Sequence, residues 1–331
     1  MLDKIIGAFC VNISAIKLLV KEFFKYTLKI RYNFHIFYKK EVEMRNNELK
    51  YVLIVRCPDT TGISAAVFNF IHDNAGFIIS SNNYGDPVTD RFFMRIIFTS
   101  INSKMGSLED IRLKFQPIAE KFLMQWEIKD YNYKPKTLIA VSKYSHCLND
   151  LLHKTKSGQI PIDIVAVISN HSDMRSLTEW YGFKYFHLPV TKETKAEQEQ
   201  KILGLIDELK VDLTVLARYM QILSPNMCEK LSEKCINIHH SFLPSFKGAM
   251  PYSQAHSRGV KIVGATVHYV TSDLDEGPII EQAVERVDHT FDVNGIGSTV
   301  RDLETLTLSR AVKWHAESRI LLNDSKTVVF K

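Results

Sequence analysis

Residues 137–142, 162–169, 184–188 and 213–217 are short apolar runs, and each is separated from the next by a longer stretch of helical periodicity. Strands spaced this way cannot pair as tight hairpins. They pair in parallel through crossover connections, which are right-handed and lay helices on both faces of the sheet. The expected class for this part of the chain is therefore α/β, a doubly wound and mostly parallel sheet whose ligands sit outside the carboxyl ends of its strands. Residues 235–239 and 264–270 add two further strands, with loop and helix between them. A long helical pattern at 293–318 and two short strands, 319–322 and 327–330, close the chain.

The front of the chain reads differently. Strand 51–56, helix 63–74, strand 77–81, strand 91–99, helix 105–125 and strand 126–131 follow one another in the order βαββαβ, the ferredoxin-like arrangement. Asp59 or Thr60 is placed to cap the first helix, and 82–90 is rich in turn residues. Residues 132–135 form a short polar linker, so the expected units are 49–131 and 136–331. Residues 1–48 are expected to lie outside the fold as an N-terminal extension, with the working chain beginning at or near Met44. Its apolar stretch 5–20 is too short, and too interrupted by Lys17, for a membrane span, and no small-residue cleavage site follows it.

Residues 1–43 also carry four of the five net positive charges, which leaves +1 for the remainder and no basic signature for nucleic acid. Neither a nucleic-acid nor a membrane partner is expected. The five cysteines, Cys10, Cys57, Cys147, Cys228 and Cys235, form no CxxC pair and are odd in number. That excludes a disulfide framework and fits a reducing cytoplasm.

Asn237, His239 and Asp275 are the candidate catalytic residues. Residues two apart on a strand point the same way, so 235–239 delivers Asn237 and His239 to one face. The turn 271–278 carries Asp275 off the end of the next strand. A carboxamide, an imidazole and a carboxylate on neighbouring strand ends hold a developing oxyanion, move a proton and orient the imidazole. His239, His240 and His268 are metal-ligating types, but no HExxH or comparable spacing accompanies them, and no metal is expected.

The run Asn237-Ile-His239-His240-Ser241-Phe-Leu-Pro244, then Gly264-Ala-Thr-Val-His268-Tyr-Val-Thr271, then Asp275-Glu-Gly277-Pro278, resembles the catalytic core of the folate-dependent formyltransferase superfamily. Within it the likeness is greatest to the formyltetrahydrofolate deformylase family and extends over about 49–330. The resemblance implies a formyltransferase-like catalytic domain and hydrolysis of 10-formyltetrahydrofolate to formate and tetrahydrofolate, with the formate supplied to purine synthesis and the one-carbon pool kept in balance. It implies folate contacts at Tyr219, Gln221, Ile222 and Leu223 on one loop and at Val270 and Thr271 on another. The folate is the substrate, and no cofactor is implied. Met250 and Ser253 depart from the family pattern, where Lys and His are expected.

The loop Ser142-Lys-Tyr-Ser-His-Cys147 lacks the glycines that bring backbone N–H groups up to a nucleotide phosphate, which leaves water as the acceptor. The rival readings are a formyltransferase with an unidentified amine acceptor and a non-catalytic regulator that binds folate and an amino acid. Pro58-Asp59-Thr60-Thr61-Gly62, at the first strand-helix junction, resembles an ACT domain. That likeness implies an amino-acid effector site at Asp59 and Gly62, with glycine and methionine the first ligands to test, and a homo-oligomer.

Overall fold

The computed structural model of the chain describes residues 49–100, 104–243 and 251–331. The expectations for residues 1–48 and for Met250 fall outside the described residues. Four strands, β1 (Lys50–Pro58), β2 (Gly76–Asp86), β3 (Arg91–Ser100) and β4 (Gln125–Asp130), form an antiparallel sheet in the order β2-β3-β1-β4. Helices α1 (Ile63–Asp73) and α2 (Leu108–Lys121) pack on it. Leu53 on the central strand stands in register with Ile96 on one side and Ile128 on the other, and all three are fully buried. Each such side chain contributes about 1.5–3 kcal/mol through burial.

Two local expectations change. The turn-rich stretch after Ser81 remains strand as far as Asp86, because β3 supplies a continuous ladder to Arg91 even where the β2 side chains are polar and exposed. Neither Asp59 nor Thr60 caps α1. The N-cap is Gly62 at φ 93°, a left-handed conformation that suits glycine, and no side chain bonds there. The Asp59 backbone N–H instead donates to Asp90 O at 2.8 Å.

The larger sheet has seven strands. Along the chain β5 (Lys136–Val141), α3 (His146–Lys156), β6 (Asp163–Ser169), α4 (Arg175–Trp180), β7 (Tyr185–His187), α5 (Lys195–Leu209) and β8 (Leu213–Leu216) come first. They are followed by α6 (Pro225–Lys230), β9 (Cys235–His239), α7 (Pro251–Ser257), β10 (Ile262–Tyr269), β11 (Ile279–Arg286) and α8 (Val293–Ala316). The order is β11-β10-β9-β8-β5-β6-β7, with β9 through β7 parallel and β10 and β11 antiparallel. The chain winds outward from β5 through β6 to β7, then crosses back to β8. The topological switch point therefore lies between β5 and β8, where such sheets open a crevice.

β11 has no counterpart in the sequence reading. It is an edge strand whose side chains are mostly polar and part-exposed, so it carries no apolar run. Gly264 lets it approach, since a Cβ there would stand 2.5 Å from Ala283 O. Helix α8, capped by Asp292 accepting from Gly295 N at 2.7 Å, lays Leu308, Ala311 and Val312 on the sheet. The hairpin of β12 (Ile320–Asn323) and β13 (Lys326–Val329) then joins the two sheets. Asn323 donates to Asp86 at 2.6 Å, and Arg95 donates to Glu317 O at 2.8 Å.

Candidate active site

β9 and β10 build the floor of the site. Their antiparallel register sets His268 opposite Asn237 and Thr266 opposite His239. Side chains directly opposite share a face, so the Asn237 amide reaches His268 Nε2 at 3.3 Å. The His268 Nδ1 lies 2.8 Å from Tyr269 O. A carbonyl only accepts, so Nδ1 carries the hydrogen and Nε2 presents its lone pair to the Asn237 NH₂. This leaves the second N–H of Asn237 to point elsewhere.

Asp275 arrives from the loop after β10 in a left-handed conformation, φ 59°, which is unfavourable for a residue with a Cβ and is common where function holds it. Gly277 makes the approach possible, because a Cβ there would lie 1.8 Å from Tyr269 O. The Asp275 Oδ2 stands 3.1 Å from His239 Nδ1, and Oδ1 stands 3.6 Å from His268 Nε2. Burial works to raise the Asp275 carboxyl, but the hydrogen bond from His239 holds it well below the usual carboxylate range. It is a carboxylate at neutral pH. The other His239 nitrogen, Nε2, meets Ser241 Oγ at 2.8 Å, a hydroxyl that serves either protonation state of the ring by donating or accepting. Thr266 fixes this turn by donating to Ser241 O at 2.9 Å.

Asn237, His239, His268 and Asp275 line a cavity of about 340 Å³. Tyr219, Gln221, Ile222, Leu223, Val270 and Thr271 line the same cavity, so the two loops singled out for folate and the candidate catalytic residues converge on one space. Tyr219 and Leu223 belong to the core. The Tyr219 phenol donates to Gln198 at 3.3 Å, and burial pushes it up to about 12, so it stays neutral. Met220, Ile222 and Leu274 are more than half exposed at the rim, where apolar side chains offer a seat for a flat ring. Asp59 and Gly62 lie elsewhere, at the β1–α1 junction of the smaller sheet, with Asp59 Oδ2 against Gly85.

His268 is the residue the sequence reading undervalued, weighing it only as a metal ligand. Its signal was the register of two strands, which no short motif states. Among the described residues, His146, Cys147 and Glu304 bring metal-ligating atoms within 4.8 Å of one another. Both Glu304 oxygens are already engaged, Oε1 by Arg218 at 2.7 Å and Oε2 by His146 at 2.5 Å. Burial, and then Glu304, push the Cys147 thiol well up. This donor set has the chemistry of an ion cluster rather than of a metal site.

The "Formyl transferase" family model matches residues 135–312. The chain is 47% identical over 286 residues to the formyltetrahydrofolate deformylase of Corynebacterium sp. (strain P-1), covering 86% of this chain and 100% of the relative. It is 45% identical over 287 residues to that of Bacillus subtilis, covering 86% and 95%. The crystal structure of the formyltetrahydrofolate deformylase of Burkholderia mallei superposes with a TM-score of 0.82 at 46% identity, covering 86% of this chain and 100% of that one.

Proposed function

This chain belongs to the formyltetrahydrofolate deformylase family, and we propose that the cavity on β9 and β10 is where it hydrolyses 10-formyltetrahydrofolate to formate and tetrahydrofolate. The observation that carries this reading is the contact of His239 Nδ1 with Asp275 Oδ2 at 3.1 Å in the floor of a cavity with an apolar rim. The pterin lies between the loop at Tyr219–Leu223 and the loop at Val270–Asp275. Water attacks the formyl carbon, and its proton passes to the His239–Asp275 pair. A carboxylate held this far into its ionised form is a weak base, so the imidazole is the group that holds the proton and Asp275 orients it. The oxyanion of the tetrahedral intermediate faces the free N–H of Asn237. The bond from carbon to N10 then breaks, its electron pair stays on nitrogen, and the proton returns there. Formate and tetrahydrofolate leave, and the formate serves as a one-carbon donor for purine assembly. The folate is consumed as substrate, and no separate cofactor enters this chemistry. Incubating purified protein with 10-formyltetrahydrofolate and no amine is the test. One formate per tetrahydrofolate is expected, and no formate would overturn the reading.

The smaller sheet has a separate proposed role. Its βαββαβ order and the turn Pro58–Gly62 support an ACT-like unit that takes an amino-acid effector at Asp59 and Gly62. The edge strand β2 exposes Phe77, Ile79 and Tyr84 by 40–46%, which supports pairing of this unit between copies of the chain. Deformylation rates and melting temperatures across the twenty amino acids, with glycine and methionine first, test the effector. A mass by light scattering tests the assembly. No response and a monomeric mass would reject both.

A further inference from the structure

The switch point between β5 and β8 is where a sheet of this topology ordinarily offers a seat to a ligand. In this chain the loops that leave the two strands are tied to each other. Ser142 N donates to Arg218 O at 3.2 Å, and Met220 N donates to Ser142 Oγ at 3.0 Å, so the loops leaving the two strands are zipped together. Ser142 Oγ also donates to Asn170 Oδ1 at 2.7 Å, which ties in the end of β6.

Beneath this zipper lies a charged cluster drawn from three elements. Arg218, at φ 64° directly beyond β8, is 7% exposed, and Glu304 on α8 is 0% exposed. Glu304 joins Arg218 at 2.7 Å to His146, the first residue of α3, at 2.5 Å. The Tyr144 ring covers the outer side, its centroid 5.0 Å from Arg218 Cζ. Each Glu304 oxygen is engaged once inside the cluster, and Arg218 Nε is buried without a hydrogen-bond partner among the described residues.

The cluster adjoins the chemistry. Arg218 and His240 both line the cavity that holds His239 and Asp275. The His240 ring stands 5.1 Å from that of His239 and 5.9 Å from that of Tyr252 on α7. Along the sheet, β8 with Arg218 and the first folate loop beyond it stands between β9 and β5, and the second folate loop leaves β10 on the other side of β9.

We propose that the Arg218–Glu304–His146 cluster, with Tyr144 over it, is a specificity plug: it fills the switch-point crevice and denies the formyl carbon any nucleophile larger than water. This rests on the hydrolytic reading above and adds to it the residues that set the acceptor. A discriminating site needs an element that rejects the wrong partner as well as one that binds the right one, and here the rejecting element is steric. Opening the plug admits a small amine. Its nitrogen forms the new bond to the formyl carbon and gives its proton to the same His239–Asp275 pair. N10 leaves with its electron pair and takes that proton, giving a formamide and tetrahydrofolate.

The test uses full-length protein, 10-formyltetrahydrofolate and glycinamide, a small amine that is substantially unprotonated near pH 8, with formate and formylglycinamide both measured by mass spectrometry. Wild type is expected to give formate and only a trace of formylglycinamide. Tyr144→Ala and Glu304→Ala are each expected to raise the formylglycinamide-to-formate ratio at least about tenfold. Should Glu304→Ala fail to fold, Tyr144→Ala, at a half-exposed position, still decides the matter. An unchanged ratio in a folded Tyr144→Ala protein would overturn the proposal, as would ready formylation of glycinamide by wild type. Wild type that releases no formate without glycinamide would instead overturn the hydrolytic reading, so the two failures are distinct.

Discussion

Among the described residues of the larger unit, the His239–Asp275 and His146–Glu304 pairs differ in what surrounds them. His239 and Asp275 meet at 3.1 Å, and the Asp275 side chain is 19% exposed in the wall of a 340 Å³ cavity. His146 and Glu304 meet at 2.5 Å with Glu304 wholly buried and its second oxygen on Arg218. The same two residue types form the proposed catalytic pair where a cavity and an adjacent amide lie beside them, and a buried ion cluster where a guanidinium takes the second carboxylate oxygen. Pairing alone does not mark a catalytic site.

That contrast can be broken at either pair. Asp275→Asn and His239→Ala should each lower kcat by about 10² to 10⁴ while the folded protein melts close to wild type, read by steady-state formate release and thermal melts. Glu304→Ala should do the reverse and destabilise the protein by about 3–5 kcal/mol, because Arg218 is left buried without its partner. Denaturant titration measures that. Asn237→Ala should lower kcat by about 10² to 10³ if the amide faces the oxyanion.

His240 stands between the pairs and offers a smaller effect. Burial first, and then Arg218 and His239, push its imidazole down to about 4. The unfolded ring takes a proton near its ordinary value of about 6.5, and the folded ring refuses it until near 4. Stability contributed by this group is therefore intact above that upper value and falls on acidification by at most about 1.4 kcal/mol per pH unit. Melting temperatures between pH 6.5 and 4.5 should fall less steeply in His240→Asn. The smallest effect is expected at the cap of α8, where Asp292→Ala should cost about 0.5–2 kcal/mol with kcat unchanged, measured by thermal melts and formate release.

Much of the fold was legible because it is written locally. Apolar runs at the right spacing give the parallel strands, and β9 spans Cys235–His239, the bounds read from the sequence. The loops expected to hold folate and the proposed catalytic pair came from contiguous motifs, and the structure brings them to one cavity. What was not legible depends on distance or on weak patterns. The pairing of His268 with Asn237 is a matter of strand register. Glu304 sits mid-helix, 86 residues from Arg218 and 158 from His146, so nothing local announces that the three meet. β11 lacks an apolar face, and the α1 cap went to Gly62 because backbone geometry prevailed over the side chains that usually cap.

In the proposed hydrolysis, water activated at the His239–Asp275 pair attacks the formyl carbon directly. A single turnover in ¹⁸O-labelled water with enzyme in excess, followed by mass spectrometry of the formate and of the intact protein, tests it most directly. Formate carrying one ¹⁸O in that first turnover and a protein of unchanged mass are expected. Unlabelled formate, with the label appearing instead in Asp275, would show that the carboxylate itself is the nucleophile and would overturn direct attack by water.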